Sequence, residues 1–254
     1  MKAIIIAAGK GRRLSPLTDH VPKNLLDIGG TTILEMQIEA LTACGINEIA
    51  IVVGHGAEQI DAALEKHKNL CNITLVYNPY FDVADNLVSV WSARHLMDNE
   101  FISVNGDNIF TPAVVQRLLQ HPGNTAMVID TKASYDADDM KVIHDVNGVR
   151  EVSKTINPAN ATAESAGIIK FSKAGATLYR NVLEEIAQKR ANKNAYYLEA
   201  IREVIARGHT VHYSECEEDD WCELDVPSDL EKMRQSVRKL KECVPDVCSG
   251  NVRV

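Results

Sequence analysis

Short β-branched runs alternate with amphipathic stretches along the first half of this chain, and that rhythm constrains its fold more than any other feature. KAIIIA, residues 2–7, is apolar throughout, as a strand buried on both faces must be. TILEMQIEALTACG, residues 32–45, places Ile33, Leu34, Ile38 and Leu41 on one helical face and stops at Gly45. The pattern repeats as strand 48–54, helix 57–67, strand 72–78, helix 86–97, strand 101–107, helix 112–120 and strand 125–130. Pro112 stands where a first helical position tolerates it. Strand–helix alternation of this kind predicts an α/β fold with a doubly wound, mostly parallel, Rossmann-like sheet.

The rhythm changes after residue 130. MKVIHDVNGVREVS, residues 140–153, reads as two strands joined at Asn147-Gly148, a hairpin signal. A strand at 164–172, helices at about 173–190 and 196–207, short strands at 209–215 and 221–225, and a closing helix from Pro227 follow. The expectation is a single domain over 1–244 with a mixed late β region, and a polar, flexible tail over 245–254.

The formal net charge of the 254 residues is −8, which argues against a nucleic-acid partner. The first 25 residues run the other way, with Lys2, Lys10, Arg12, Arg13 and Lys23 against Asp19 alone. A basic pocket on an acidic protein suits a small anion. The six cysteines form no CxxC pair, so a zinc site is not expected. MKAIII reads as a strand rather than a leader, and no run approaches a membrane span, so the expectation is a cytoplasmic protein without a membrane partner.

Gly9 and Gly11 directly follow the first strand. Glycines there let backbone N–H groups approach an anion, and in open α/β sheets ligands sit at the carboxyl ends of strands. The loop is neither a Walker A sequence, which needs GK[ST] after four spacers, nor a dinucleotide fingerprint, which needs glycine where Leu14 stands. It continues as G-x-G-x-R-L-x-P, with Pro22-Lys23 beyond it.

With AAGKGRRLSPLT, VPKNLLDIGG, FISVNGDNIF, ESAGIIKFS and CELDVPSDLEKM, that continuation resembles the nucleotidyltransferases that join a nucleoside triphosphate to a phosphorylated acceptor. YNPYFDVADNLVSVWSARHL is most similar to the branch of cytidylyltransferases acting on phosphocholine, aminoethylphosphonate and other small phosphorylated compounds. The resemblance implies the nucleotidyltransferase fold, Mg²⁺ as cofactor, and small-molecule substrates, with a homodimer as one possible assembly. The implied reaction is attack by an acceptor phosphate or phosphonate oxygen on the α-phosphorus of the nucleotide, with pyrophosphate leaving. An anionic nucleophile needs charge neutralisation and in-line placement rather than a general base.

The resemblance assigns Arg13 and Lys23 to the reacting phosphates, and Ala8, Gly9 and Gly11 to the nucleotide through backbone N–H groups. Lys10 and Arg12 carry weaker assignments. Asp107 and Asp225 are the implied metal ligands, Asp107 also touching the nucleotide. Asn86 and Ser89 are placed at the base, where their groups serve cytosine or uracil equally, and Asn86 could equally cap a helix. Glu164 is placed at the acceptor. Lys141 is offered as a phosphate contact, although a hairpin lysine is more often solvated. Trp221, with the acids of 217–220, is offered as a cage for an ammonium group, or else as an anchor in a solvated acidic loop. Two alternatives stay open: a uridylyl- or other nucleotidyltransferase acting on a sugar 1-phosphate, and a non-catalytic sensor of nucleotides or sugar phosphates on the same fold.

Overall fold

The computed structural model describes residues 1–189, 194–217 and 219–243. The tail expected at 245–254 lies outside them. No helix among the described residues is long and apolar enough to cross a membrane.

Strands β1 (Lys2–Ala7), β2 (Glu48–Val53), β3 (Asn72–Tyr77) and β4 (Phe101–Asn105) run parallel, with β1 between β2 and β4. Helices α1 (Ile33–Ala43), α2 (Ala57–Leu64) and α3 (Asn86–Ser92) make the connections, as the alternation predicts. Successive β1 residues enter different cores. Ile4 packs with α3 residues such as Leu87, and Ile5 packs with α1 residues such as Ile38. Burial on both faces is the physical reason that KAIIIA carries no exposed side. Helix α1 opens on a capping box: Thr32 Oγ1 accepts from the Glu35 N–H at 3.2 Å, and the Glu35 carboxylate accepts from the Thr32 N–H at 2.8 Å.

Past β4 the chain departs from simple parallel order. Helix α4 (Pro112–Gln120) leads to β6 (Thr125–Asp130), but β6 does not pair with β4. Strand β9 (Ala163–Phe171) lies between them, antiparallel to both. The expected hairpin of β7 (Lys141–Asp145) and β8 (Gly148–Ser153) forms, but it turns at Val146-Asn147, with Gly148 already paired to Asp145, and it joins the sheet through β9. Helices α5 (Lys173–Ala187) and α6 (Leu198–Ala206) precede the edge strand β10 (His212–Glu215), which runs parallel to β6. The predicted mixed late region is therefore part of the central sheet rather than an appendage.

A small second sheet positions the site. Strand β5 (Asn108–Phe110) pairs antiparallel with β11 (Trp221–Glu223), setting Asn108 opposite Glu223. The Leu224 N–H donates to the Asp107 carbonyl at 2.9 Å. Helix α7 (Pro227–Cys243) follows at once. Leu14, Ile28, Ile33, Ile109, Leu224 and Met233 share one buried cluster, which ties the glycine loop to both strands of the small sheet and to α7.

Candidate active site

The loops after β1 and β4 leave parallel neighbouring strands, so they open at the same edge of the sheet. The first delivers Gly9 to Arg13, and the second delivers Asp107. Gly106 allows that approach: its N–H donates to the Ile6 carbonyl at 3.0 Å, and an added Cβ would stand 2.6 Å from the same oxygen. Behind the turn, the fully buried Gln37 donates to the carbonyls of Asn105 and Asn108, each at 2.7 Å. A glutamine on the core face of α1 is the signal in the sequence that could have found this support.

Two cavities of about 600 and 490 Å³ meet at Arg13, Asn86, Asn105, Asp107 and Asp225. The first extends over the glycine loop and the segment 81–86 to Ser89. The second extends to Lys132, Lys154, Glu164, Tyr197 and Trp221. Two spaces sharing one charged wall suit two substrates whose reacting ends must touch.

The wall is built from opposite charges. Lys23 Nζ lies 3.0 Å from a carboxylate oxygen of Asp107 and 3.0 Å from one of Asp225. Burial works against its charge, but the two carboxylates outweigh that and raise its pKa, so the ammonium is retained. Arg13 donates to Asp225 at 3.0 Å and lies 3.5 Å from Asp138. Burial alone would raise the Asp225 pKa, but Lys23 and Arg13 hold it below its ordinary value.

Glu223 was not singled out in the sequence, although it stands in CELD, two residues before Asp225. It completes a group with Asp107 and Asp225 in which one oxygen of each lies within 4.8 Å of the others. Burial first, then the charges of Asp107 and Asp225, drive its pKa well above the ordinary range. Asp107 Oδ1 is buried with no hydrogen-bond partner. An orphaned carboxylate oxygen within three clustered hard-oxygen donors fits a divalent cation such as Mg²⁺.

The other sequence-predicted residues divide. Gly9 and Gly11 line the first cavity, and Gly11 takes the left-handed conformation at φ 62°. Ala8 does not line it. Its side chain is buried in the core, and its carbonyl accepts from the His55 N–H at 3.1 Å. Asn86 lines both cavities, and its side-chain oxygen accepts from the Tyr197 N–H at 2.9 Å. It is the first residue of α3, with Asp85 at the cap position. Ser89 lines the first cavity, and its hydroxyl accepts from Asn78 at 3.0 Å.

Glu164 lines the second cavity opposite Asp130 in the β6–β9 register. Burial raises its pKa to about 7 against the opposing pull of Lys132, 2.8 Å away. Lys141 is a correction. It is fully buried, and its ammonium donates to the carbonyls of Asp136 at 2.7 Å and Asp139 at 3.1 Å, so it holds the 136–139 turn instead of reaching a phosphate. The acidic cage around Trp221 is a second correction. Arg117 takes both Asp220 and Glu217, Lys239 takes Asp219, and Glu218 lies outside the described residues. Trp221 itself lines the second cavity, packed on the core, with its buried indole N–H unpartnered.

Lys154 is a further residue that the sequence reading missed. It lines the second cavity beside the β8 end, 5.1 Å over the Tyr196 ring, and its charge is one of those that hold Asp225 below its ordinary pKa.

Residues 3–213 match the model of the MobA-like NTP transferase domain. The chain belongs to that family. As a nucleotidyltransferase it has relatives along most of its length, some of them much longer proteins. It is 26% identical over 237 residues to the CMP-5'-(3-aminopropyl)phosphonate synthase of Streptomyces rubellomurinus, which covers 90% of this chain but only 37% of that protein. It is 27% identical over 253 residues to the CTP:phosphoglutamine cytidylyltransferase of Campylobacter jejuni, covering 91% of this chain and 98% of that one. The inositol-1-phosphate CTP transferase of T. maritima superposes with a TM-score of 0.80 at 19% identity over 96% of this chain and 97% of that one, a likeness of fold.

Proposed function

We propose that this NTP transferase is a Mg²⁺-dependent cytidylyltransferase that moves CMP from CTP to a small phosphorylated or phosphonate acceptor, such as phosphocholine or aminoethylphosphonate, and releases pyrophosphate. The observation that carries this reading is the meeting of the two cavities at Arg13, Asp107 and Asp225, with Lys23 of the first cavity held between the two carboxylates. The choice of cytosine is supported by the names of the relatives above, whose reactions are described with CTP or CMP.

In this reading the first cavity holds CTP, with the phosphates over Gly9 and Gly11 and the base toward Asn86 and Ser89. The second holds the acceptor, its phosphate drawn to Lys154. An acceptor oxygen forms the new bond to the α-phosphorus as the bond to the β-phosphate oxygen breaks. The nucleophile is already anionic, so no proton moves. Lys23 neutralises the transferring phosphoryl group, and Arg13 offers a planar fork to the oxygens gaining charge. Asp107, Glu223 and Asp225 would hold the metal, which when bound screens the phosphate charges.

A pyrophosphate-release assay over CTP, UTP, dTTP, ATP and GTP, each with phosphocholine, aminoethylphosphonate, glucose 1-phosphate or no acceptor, tests this. Release is expected with CTP and an acceptor together. Release with UTP and glucose 1-phosphate would move the protein to sugar nucleotides, and binding without release under every pairing would make it a sensor.

A further inference from the structure

Four cations stand along the first cavity, and each already faces a carboxylate. Arg13 and Lys23 face the metal-site acids. Lys10 and Arg12 face a different one: Asp82 Oδ1 lies 2.6 Å from Lys10 Nζ and 2.7 Å from Arg12 Nη2. Arg12 also reaches the Asp82 carbonyl at 3.5 Å. Asp82 belongs to the segment between β3 and α3, which forms the opposite wall of that cavity. Its neighbour Phe81 seats against Gly54, where an added Cβ would stand 2.5 Å from the Phe81 Cβ, and Lys10 lies 5.8 Å over the Phe81 ring. One carboxylate thus clamps the wall of the cavity to the glycine loop through two basic side chains.

We propose that Asp82 is an internal competitor for the polyphosphate of the incoming nucleotide: its carboxylate occupies the anion position between Lys10 and Arg12, and nucleotide phosphates displace it. The proposal rests on the first cavity being the nucleotide site. Two basic side chains that share one carboxylate oxygen hold less negative charge than a polyphosphate would bring. The clamp is half-exposed, with side-chain exposures of 33% for Lys10, 72% for Arg12 and 49% for Asp82, so the contacts are weak enough to exchange. The price of displacement lowers the apparent affinity for any ligand that needs both cations, and leaves a ligand without phosphates unaffected. Nucleotide entry is then coupled to release of the 78–85 segment from the glycine loop.

The test is calorimetric titration of wild type and Asp82→Asn with CTP, cytidine and inorganic tripolyphosphate. The amide keeps the size of the side chain and removes the charge, and its exposed position spares the fold, which equal melting temperatures will verify. Asp82→Asn should bind CTP and tripolyphosphate roughly two- to tenfold more tightly, with cytidine unchanged. Adding Lys10→Ala to Asp82→Asn should cancel most of that gain. Equal gains for cytidine and CTP would mean that Asp82 acts on the base wall alone, and overturn the proposal. So would unchanged or weaker CTP binding in the variant. Wild type that binds none of the three probes would instead refute the nucleotide reading, and this inference with it.

Discussion

Lys23 touches the two carboxylates that would otherwise repel each other, so its removal acts on charge before it acts on packing. Arg13 is half-exposed and Lys23 largely buried, but both sit in single 3-10 turns, Arg12–Leu14 and Lys23–Leu25, rather than in the sheet. Arg13→Ala and Lys23→Ala should each lower kcat about 30- to 1000-fold, the usual loss for one charge-assisted contact in a transition state of about 2–4 kcal/mol. Near wild-type turnover at saturating substrates would remove the residue concerned from the mechanism. Asp107→Asn keeps shape and loses charge. It should abolish pyrophosphate release and weaken Mg²⁺ binding, with the melting temperature little changed in EDTA. Unaltered metal dependence in that variant would show that Asp107 is no ligand.

At the scale of elements, the glycines separate fold from function. An alanine at Gly106 would press on the Ile6 carbonyl and on the Ala7 Cα at 2.9 Å, moving the turn that carries Asp107. Gly106→Ala should cost about 1–3 kcal/mol of stability in urea unfolding, together with activity. Gly9 has nothing within 4 Å of an added Cβ and lines the cavity, so Gly9→Ala should leave unfolding unchanged and weaken CTP binding. A destabilised Gly9→Ala protein would mean that the loop is held by its own packing. Most elements were legible because each states itself locally: α1 through its apolar face and the stop at Gly45, the β7–β8 hairpin through Asn147-Gly148. The position of β9 between β4 and β6 was not, because strand order depends on long-range packing that no local pattern encodes. Strand β5 is three residues long, too short to show a period, and its partner β11 lies far along the chain. Glu223 was missed for the same reason, since its proximity to Asp107 exists only through that pairing. Lys141 misled because charge was read as exposure, whereas carbonyls of the 136–139 turn satisfy its ammonium in the interior.

At the scale of the whole molecule, buried carboxyl groups link stability to pH. Glu164 titrates near its ordinary 4.5 when unfolded and near 7 when folded, chiefly because burial disfavours its charge. A folded acid with a raised pKa binds its proton more tightly than the unfolded chain does, so between those values the native state carries the extra proton. Its contribution is therefore complete below about 4.5 and is lost as the pH rises through about 7. Asp139, which also contacts Lys132, goes the other way. Burial would raise its pKa, but hydrogen bonds and Lys132 hold it below 3.8, so its contribution is lost only in more acid solution. The two windows do not overlap, so Asp139 adds nothing at mild pH, and Glu223, whose pKa is also raised, is present in both proteins compared. Between pH 5 and pH 8, wild type should lose about 1–3 kcal/mol relative to Glu164→Gln, whose amide does not titrate. Urea unfolding of both proteins at unit pH intervals in EDTA, with every other titrating group common to the pair, gives that difference directly. Parallel stability curves would show that Lys132 keeps Glu164 ionised throughout, and that the second cavity presents a carboxylate rather than a carboxylic acid to its ligand at neutral pH.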